Sequence, residues 1–168
     1  MAAPLPLLLG TNEEEARFFV FGTGADPSDE DVAARVAAQT NTMFRAPLAA
    51  VARERAAHSR PTFLYRFAYP SPLFGGAAHT TELPFIFGTY DEPSIARVTG
   101  ADAEVKRVSA AVQDAWSSFA HTGDPSSAHV GDWPPCTDNA LPAARFAADI
   151  DIVAFDATDL AVPARATS

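Results

Sequence analysis

Thr62-Phe-Leu-Tyr-Arg-Phe-Ala-Tyr-Pro-Ser-Pro-Leu-Phe-Gly-Gly-Ala-Ala-His79-Thr-Thr-Glu-Leu-Pro-Phe-Ile-Phe-Gly88 is the stretch whose reading decides the fold. Its first half, Phe63 to Tyr69, is apolar and aromatic, as a covered strand is. Pro70, Pro72, Gly75 and Gly76 then break the chain into a loop, and the loop presents one histidine, His79, ahead of a second apolar run. A strand that hands a histidine to a loop is one way to place a catalytic base, and it is as often a purely structural feature. Partners for His79 elsewhere in the chain decide between the two.

Upstream, Leu5-Pro-Leu-Leu-Leu-Gly10 is a short continuous apolar run without polar alternation. A strand looks like this when helices cover both faces of a parallel sheet. The run stops at Gly10, after which Asn12 is placed to cap a helix, with Glu15 three residues on completing a capping box. Ser28 marks a second helix start ahead of Asp29-Glu-Asp-Val-Ala-Ala-Arg-Val-Ala-Ala. A further helical segment runs from Phe44 to His58, with Leu48, Val51 and Ala52 at helical spacing, and Arg60-Pro61 ends it. Strand, helices and strand make a βαβ unit, whose strands are parallel.

Downstream, Thr89 to Gly100 reads as loop with a partial helix. Ala101 to His121 is the clearest helix: Val105, Val108, Val112, Ala115, Trp116 and Phe119 trace one stripe, and Gly123 and Pro125 stop it. Arg145 to Phe155 alternates enough for a strand or hairpin near a sheet edge, and Ala157 to Ser168 is expected to fray. The whole, residues 1–168, is one α/β domain.

Composition narrows the function. With 48% hydrophobic residues in 168, the chain is long enough for one real core. A net charge of −9 with no basic block argues against nucleic acid as a partner. No run approaches the length of a membrane span, and Met1-Ala-Ala-Pro lacks the basic and apolar regions of a signal peptide, so a soluble chain without an export signal is expected and its compartment stays open. Cys136 is the one cysteine, which rules out an internal disulfide and reads as an incidental thiol.

Among four histidines, His58 and His121 suit helix C-termini and His129 an exposed loop. His79 alone follows a strand in a Gly/Pro-rich loop, where the sites of α/β sheets gather. His79 and Glu82 have a spacing that would suit two metal ligands on a helix, but the setting is a loop without a third ligand, so no metal and no cofactor are expected. Glu15 has two readings: a capping carboxylate, or a carboxylate at the end of a strand that accepts the Nδ1 proton of a histidine on the next.

Three blocks, taken in order, resemble the type-B carboxylesterase and cholinesterase family of α/β-hydrolases. Pro6-Leu-Leu-Leu-Gly-Thr-Asn-Glu-Glu-Glu15-Ala-Arg-Phe-Phe19 is similar to its acid-bearing segment. Gly75 to Gly88, with His79, Glu82, Pro84, Phe85 and Phe87, is similar to its histidine segment, and Trp116-Ser-Ser-Phe-Ala-His-Thr-Gly-Asp-Pro125 followed by Trp133-Pro134 to its C-terminal signature. The resemblance implies a Ser-Glu-His esterase with Glu15 as acid, His79 as base, Glu82 as a carboxylate behind the histidine, and Phe74, Phe85 and Phe87 as apolar contributors to the ester pocket. Ala16 and Thr80 stand where the family often has glycine.

No serine in the 168 residues lies in a Gly-x-Ser-x-Gly context, and the glycine-rich oxyanion loop is missing. The expectation is therefore the C-terminal portion of an α/β-hydrolase domain with an incomplete sheet. It would be inactive alone and act on a small-molecule ester only when complemented by an N-terminal part. The alternatives are a non-catalytic cholinesterase-like binding or adhesion module, and a degenerate fragment. An exposed sheet edge left by missing strands would favour self-association.

Overall fold

The computed structural model describes residues 5–24 and 29–155. Their sheet has four strands in sequential order: β1 (Leu7–Asn12), β2 (Thr62–Phe67), β3 (Pro142–Phe146) and β4 (Ile150–Ala154). β1 and β2 pair parallel, with Leu7 opposite Thr62 and Asn12 opposite Phe67, and β2 pairs parallel with β3. β3 and β4 form the antiparallel hairpin at the far edge. The expected α/β class, with a mostly parallel sheet flanked by helices, is what the chain adopts.

Alternation along the strands sorts side chains onto two cores. On one face Phe63, Phe67, Ala144 and Phe146 pack with Val105, Val108, Val112 and Ala115 of the long helix α6 (Ala103–Thr122), where Trp133 and Phe85 join them. On the other, Leu64, Leu141, Ala143 and Phe155 pack against Ala49 and Ala52 of α3 (Ala46–Ala57). Leu8 and Leu9 reach opposite cores from β1 but stay half-buried, because β1 has one neighbouring strand among the described residues.

β1 does not stop at Gly10. The Tyr65 ring of β2 crosses directly over that backbone, and a Cβ on Gly10 would lie 2.3 Å from the ring. The glycine is a close-approach residue inside the strand and no terminator, so the strand runs on to Asn12 and sets the turn that follows.

α6 is capped by Asp102, whose carboxylate accepts the Glu104 and Val105 N–H groups, and is closed by Gly123 in the left-handed conformation. Ser28 lies outside the described residues, and Asp29 supplies the N-cap of α2 (Glu30–Thr40). α2 runs without a break into α3 through a π turn, Asn41–Arg45. The buried face of α3 is Ala46, Ala49 and Ala52, with Leu48 half-buried and Val51 in solvent. The second apolar run becomes the one-turn helix α4 (Leu83–Phe87), which docks on α6, and α5 (Ala96–Thr99) is the partial helix in the following loop. The segment expected to fray, Ala157 to Ser168, lies outside the described residues. No described helix is long and apolar enough to cross a membrane.

Candidate active site

Parallel pairing brings the ends of β1 and β2 together, so the turn after β1 and the loop after β2 meet at the same edge of the sheet. The turn Glu13–Ala16 is tied to that side by Glu13 N–H donating to Phe67 O at 2.8 Å and Glu14 N–H donating to Ala77 O at 2.9 Å. The loop is tied back by Asn12, whose Nδ2 donates to Ala78 O at 2.6 Å and to Glu82 Oε2 at 2.5 Å. Gly76 lies under the Glu14–Arg17 ion pair, where a Cβ would overlap both side chains. The loop thus seats against the acid turn only with bare backbone at that position.

The result is a direct contact between Glu15 Oε2 and His79 Nδ1 at 2.6 Å. The carboxylate is 5% exposed and the imidazole side chain 40% exposed. The other oxygen, Oε1, accepts from the Asn12 N–H at 2.8 Å and from the Thr11 hydroxyl at 2.9 Å. Asn12 caps no helix, because β1 runs through it and the helix that follows begins at Arg17 without a side-chain cap; the Glu15 carboxylate instead braces the turn with one oxygen and meets the histidine with the other. An ionised carboxylate only accepts, so the contact calls for a proton on Nδ1, and Nε2 has no hydrogen-bond partner among the described residues.

Three rings enclose the imidazole: Phe19 stacks at 5.9 Å, Phe44 lies at 5.5 Å and Phe18 meets it edge-on at 6.2 Å. Phe18 and Phe19 are exposed and belong to α1 (Arg17–Phe21), the single turn of helix after the acid. Phe74 touches Phe18 and Phe21 and extends this apolar wall. Phe85 does not join it: 1% exposed and packed on Phe67 and Tyr69, it is a core residue with no face left for a ligand. Phe87 is 73% exposed on α4, and its ring is not among those around His79. Sequence reasoning passed over Phe18, Phe19 and Phe44; the signal for the first two was a pair of large apolar residues immediately after an acid turn.

Glu82 bonds Asn12, and reaches His79 through the field and not by contact. Burial, reinforced by the charge of Glu15, raises its carboxyl above the usual range against the opposing Asn12 bond and the histidine's charge. The Tyr65 hydroxyl is pushed well up by burial first and then by the charges of Glu82 and Glu15, so it stays a neutral phenol. The other histidines are elsewhere: His58 and His121 bond the carbonyls of Glu54 and Ser117, and His129 pairs with Asp114. Cys136 is buried, which pushes its thiol to about 11. No described group of three or more His, Cys, Asp or Glu residues is arranged to hold a metal. A concavity between Arg53, Asp138–Pro142 and Ile152–Phe155 includes none of these site residues.

Comparison with known proteins gives the family. Residues 12–155 match the model of the carboxylesterase family. Para-nitrobenzyl esterase of Bacillus subtilis is 32% identical over 162 residues, covering 79% of this chain and 32% of its own length. Phenmedipham hydrolase of Pseudarthrobacter oxydans is 39% identical over 89 residues, covering 50% of this chain and 18% of its own length. The solved structure of a thermophilic PNB esterase superposes with a TM-score of 0.76 at 27% identity, over 92% of this chain and 37% of that one. The chain thus spans about a third or less of the length of the relatives it matches.

Proposed function

Because the chain belongs to the carboxylesterase family, we propose that it supplies the acid and the base of an ester-hydrolysing Ser-Glu-His site, and that the nucleophilic serine comes from a separate segment. The observation that carries this reading is the 2.6 Å contact between buried Glu15 and half-exposed His79. A binding scaffold has no chemical use for a carboxylate aimed at Nδ1 of a histidine whose Nε2 is left unengaged.

In the reaction, Nε2 of His79 takes the proton of the serine hydroxyl as its oxygen attacks the ester carbonyl, and Glu15 stabilises the imidazolium that forms. The imidazolium then returns the proton to the departing alkoxide, leaving an acyl-serine. Water, deprotonated by the same nitrogen, releases the acid and restores the serine. Phe18, Phe19 and Phe74 offer apolar surface beside His79, which suits an ester with an apolar acyl or alcohol part.

The nucleophile's absence from these 168 residues makes the test simple. On a short p-nitrophenyl ester the chain alone should show no turnover above background. Addition of a polypeptide carrying the Gly-x-Ser-x-Gly segment should produce hydrolysis sensitive to a serine-directed inhibitor and abolished by His79→Gln. Robust inhibitor-sensitive turnover by the chain alone would sink the division of labour.

A further inference from the structure

The long helical segment from Glu30 to Ala57 carries one irregularity, the π turn Asn41–Arg45, where the Ala46 N–H bonds Asn41 O five residues back. Its cause is in the sequence. Pro47 has no N–H, and its ring would collide with the carbonyl of Met43 in a regular α-helix, so the helix widens by one residue just ahead of it. In an α-helix, residues five apart point about 140° away from one another. A turn closed by a five-residue step brings them onto one face. Thr40 and Arg45 are five apart, and both face the acid turn.

Their contacts bracket Glu15. Thr40, 1% exposed, accepts the Ala16 N–H on its hydroxyl at 3.1 Å. Arg45 donates to Glu13 O at 2.7 Å and pairs with the Glu13 carboxylate at 3.0 Å. Phe44, between them in sequence, lies on His79 itself. One widened turn therefore holds the backbone on both sides of the acid and one side of the base's ring.

We propose that the π turn Asn41–Arg45 is the positioning element of the acid–base pair, with Thr40 and Arg45 fixing the backbone on either side of Glu15 so that Oε2 stays on His79 Nδ1. This rests on the acid and base roles proposed above for Glu15 and His79. Neither Thr40 nor Arg45 touches the reacting atoms; both act through the turn.

The test is the low-field proton resonance of His79 Nδ1–H in the full 168-residue chain, assigned by its disappearance in His79→Gln. Thr40→Val keeps the shape and loses the acceptor, and Arg45→Met keeps the aliphatic stem and loses the donors. Each should move the resonance upfield and speed its exchange with water, while Thr40→Ser and Arg45→Lys restore it. Thr122→Val, which removes an exposed hydroxyl bonded to Ser118 O at the end of α6, outside the π turn, should leave it in place and serves as the stability control. If Thr40→Val or Arg45→Met unfolds the chain, the comparison passes to Thr40→Ala and Arg45→Gln.

An unchanged resonance and exchange rate in folded variants lacking the acceptor or the donors would overturn the proposal, as would equal changes in Thr122→Val. In the serine-complemented enzyme the same variants should lower kcat roughly tenfold with KM unchanged. If complementation yields no hydrolysis while the resonance responds as described, the esterase reading fails and the positioning role stands.

Discussion

Thr80, the residue after the proposed base, adopts φ 70°, a left-handed conformation that a β-branched side chain takes only under constraint. The turn is imposed by its neighbours: the Thr81 N–H bonds Ala78 O and the Leu83 N–H bonds the carbonyl of Thr80. A glycine would take up the same backbone without the Cβ clash, partly offset by its greater freedom when unfolded. Thr80→Gly should therefore stabilise the chain by roughly 0.5–1 kcal/mol in urea unfolding, and a loss of stability would show that the threonine side chain is needed. Ala16, the other departure from the family pattern, sits at φ −69° and is fully buried, so nothing at that position asks for glycine. The pairing of Glu15 with His79 was one of two readings the residues left open for Glu15, and only the resemblance chose it, because 64 residues separate the two and no periodicity links them. Of the three pocket phenylalanines, Phe85 falls in the core instead, for a related reason. Apolar character marks Phe85, in the core, and Phe87, in solvent, equally well, and only the backbone decides which way each ring faces.

At the scale of elements, α6 was legible to within two residues at its start, since a stripe at three- and four-residue spacing and the stop at Gly123 and Pro125 point to one helix, while its Asp102 cap was not read. The hairpin of β3 and β4 was legible in kind though not in its turn. The π turn was not read: its hydrogen bond has no compositional signature, and Pro47 within an otherwise helical pattern was the one available clue. It shares Glu13 with β2. Arg66 reaches Glu13 Oε2 with Nε at 3.1 Å and Oε1 with Nη2, and Arg45 shares Oε1 at 3.0 Å. Burial alone would raise the Glu13 carboxyl, but the hydrogen bond and charge of Arg66 and the charge of Arg45 outweigh it and hold the group below its ordinary value of 4.5. A carboxylate with a depressed value in the folded state contributes stability that is full above the unfolded value and is lost as pH falls through the folded one. The chain should accordingly lose melting temperature as the pH drops below about 4.5, and Glu13→Gln should be less stable than the parent at pH 7 but lose less on acidification. Parallel melting curves for the two between pH 7 and pH 3 would refute the clamp's electrostatic role.

For the whole molecule, the sheet is asymmetric in its finish. Its β4 edge belongs to a hairpin with polar residues such as Asp151 facing solvent, as edges that resist pairing do. β1 is an edge of the opposite kind: Leu7, Leu8 and Leu9 are half-buried, Leu5 is 82% exposed, and the α1 rings of Phe18, Phe19 and Phe21 are exposed beyond its end. A continuous apolar strand is the sequence of one covered on both faces and flanked on both sides, and among the described residues it is flanked on one. The relatives, about three times as long or more, leave ample chain to flank the other. Two consequences follow from one cause. In isolation the β1 edge should pair with a second copy, so that sedimentation velocity shows a weight-average mass rising with concentration. Leu7→Lys, placed on the edge at a position outside both cores, should suppress that rise with little change in melting temperature. The serine-bearing polypeptide, if it occupies the same edge, should suppress it as well and raise the melting temperature of the parent chain. A parent chain that stays monomeric at all concentrations, or association that Leu7→Lys leaves untouched, would mean that the apolar edge is not the adhesive surface.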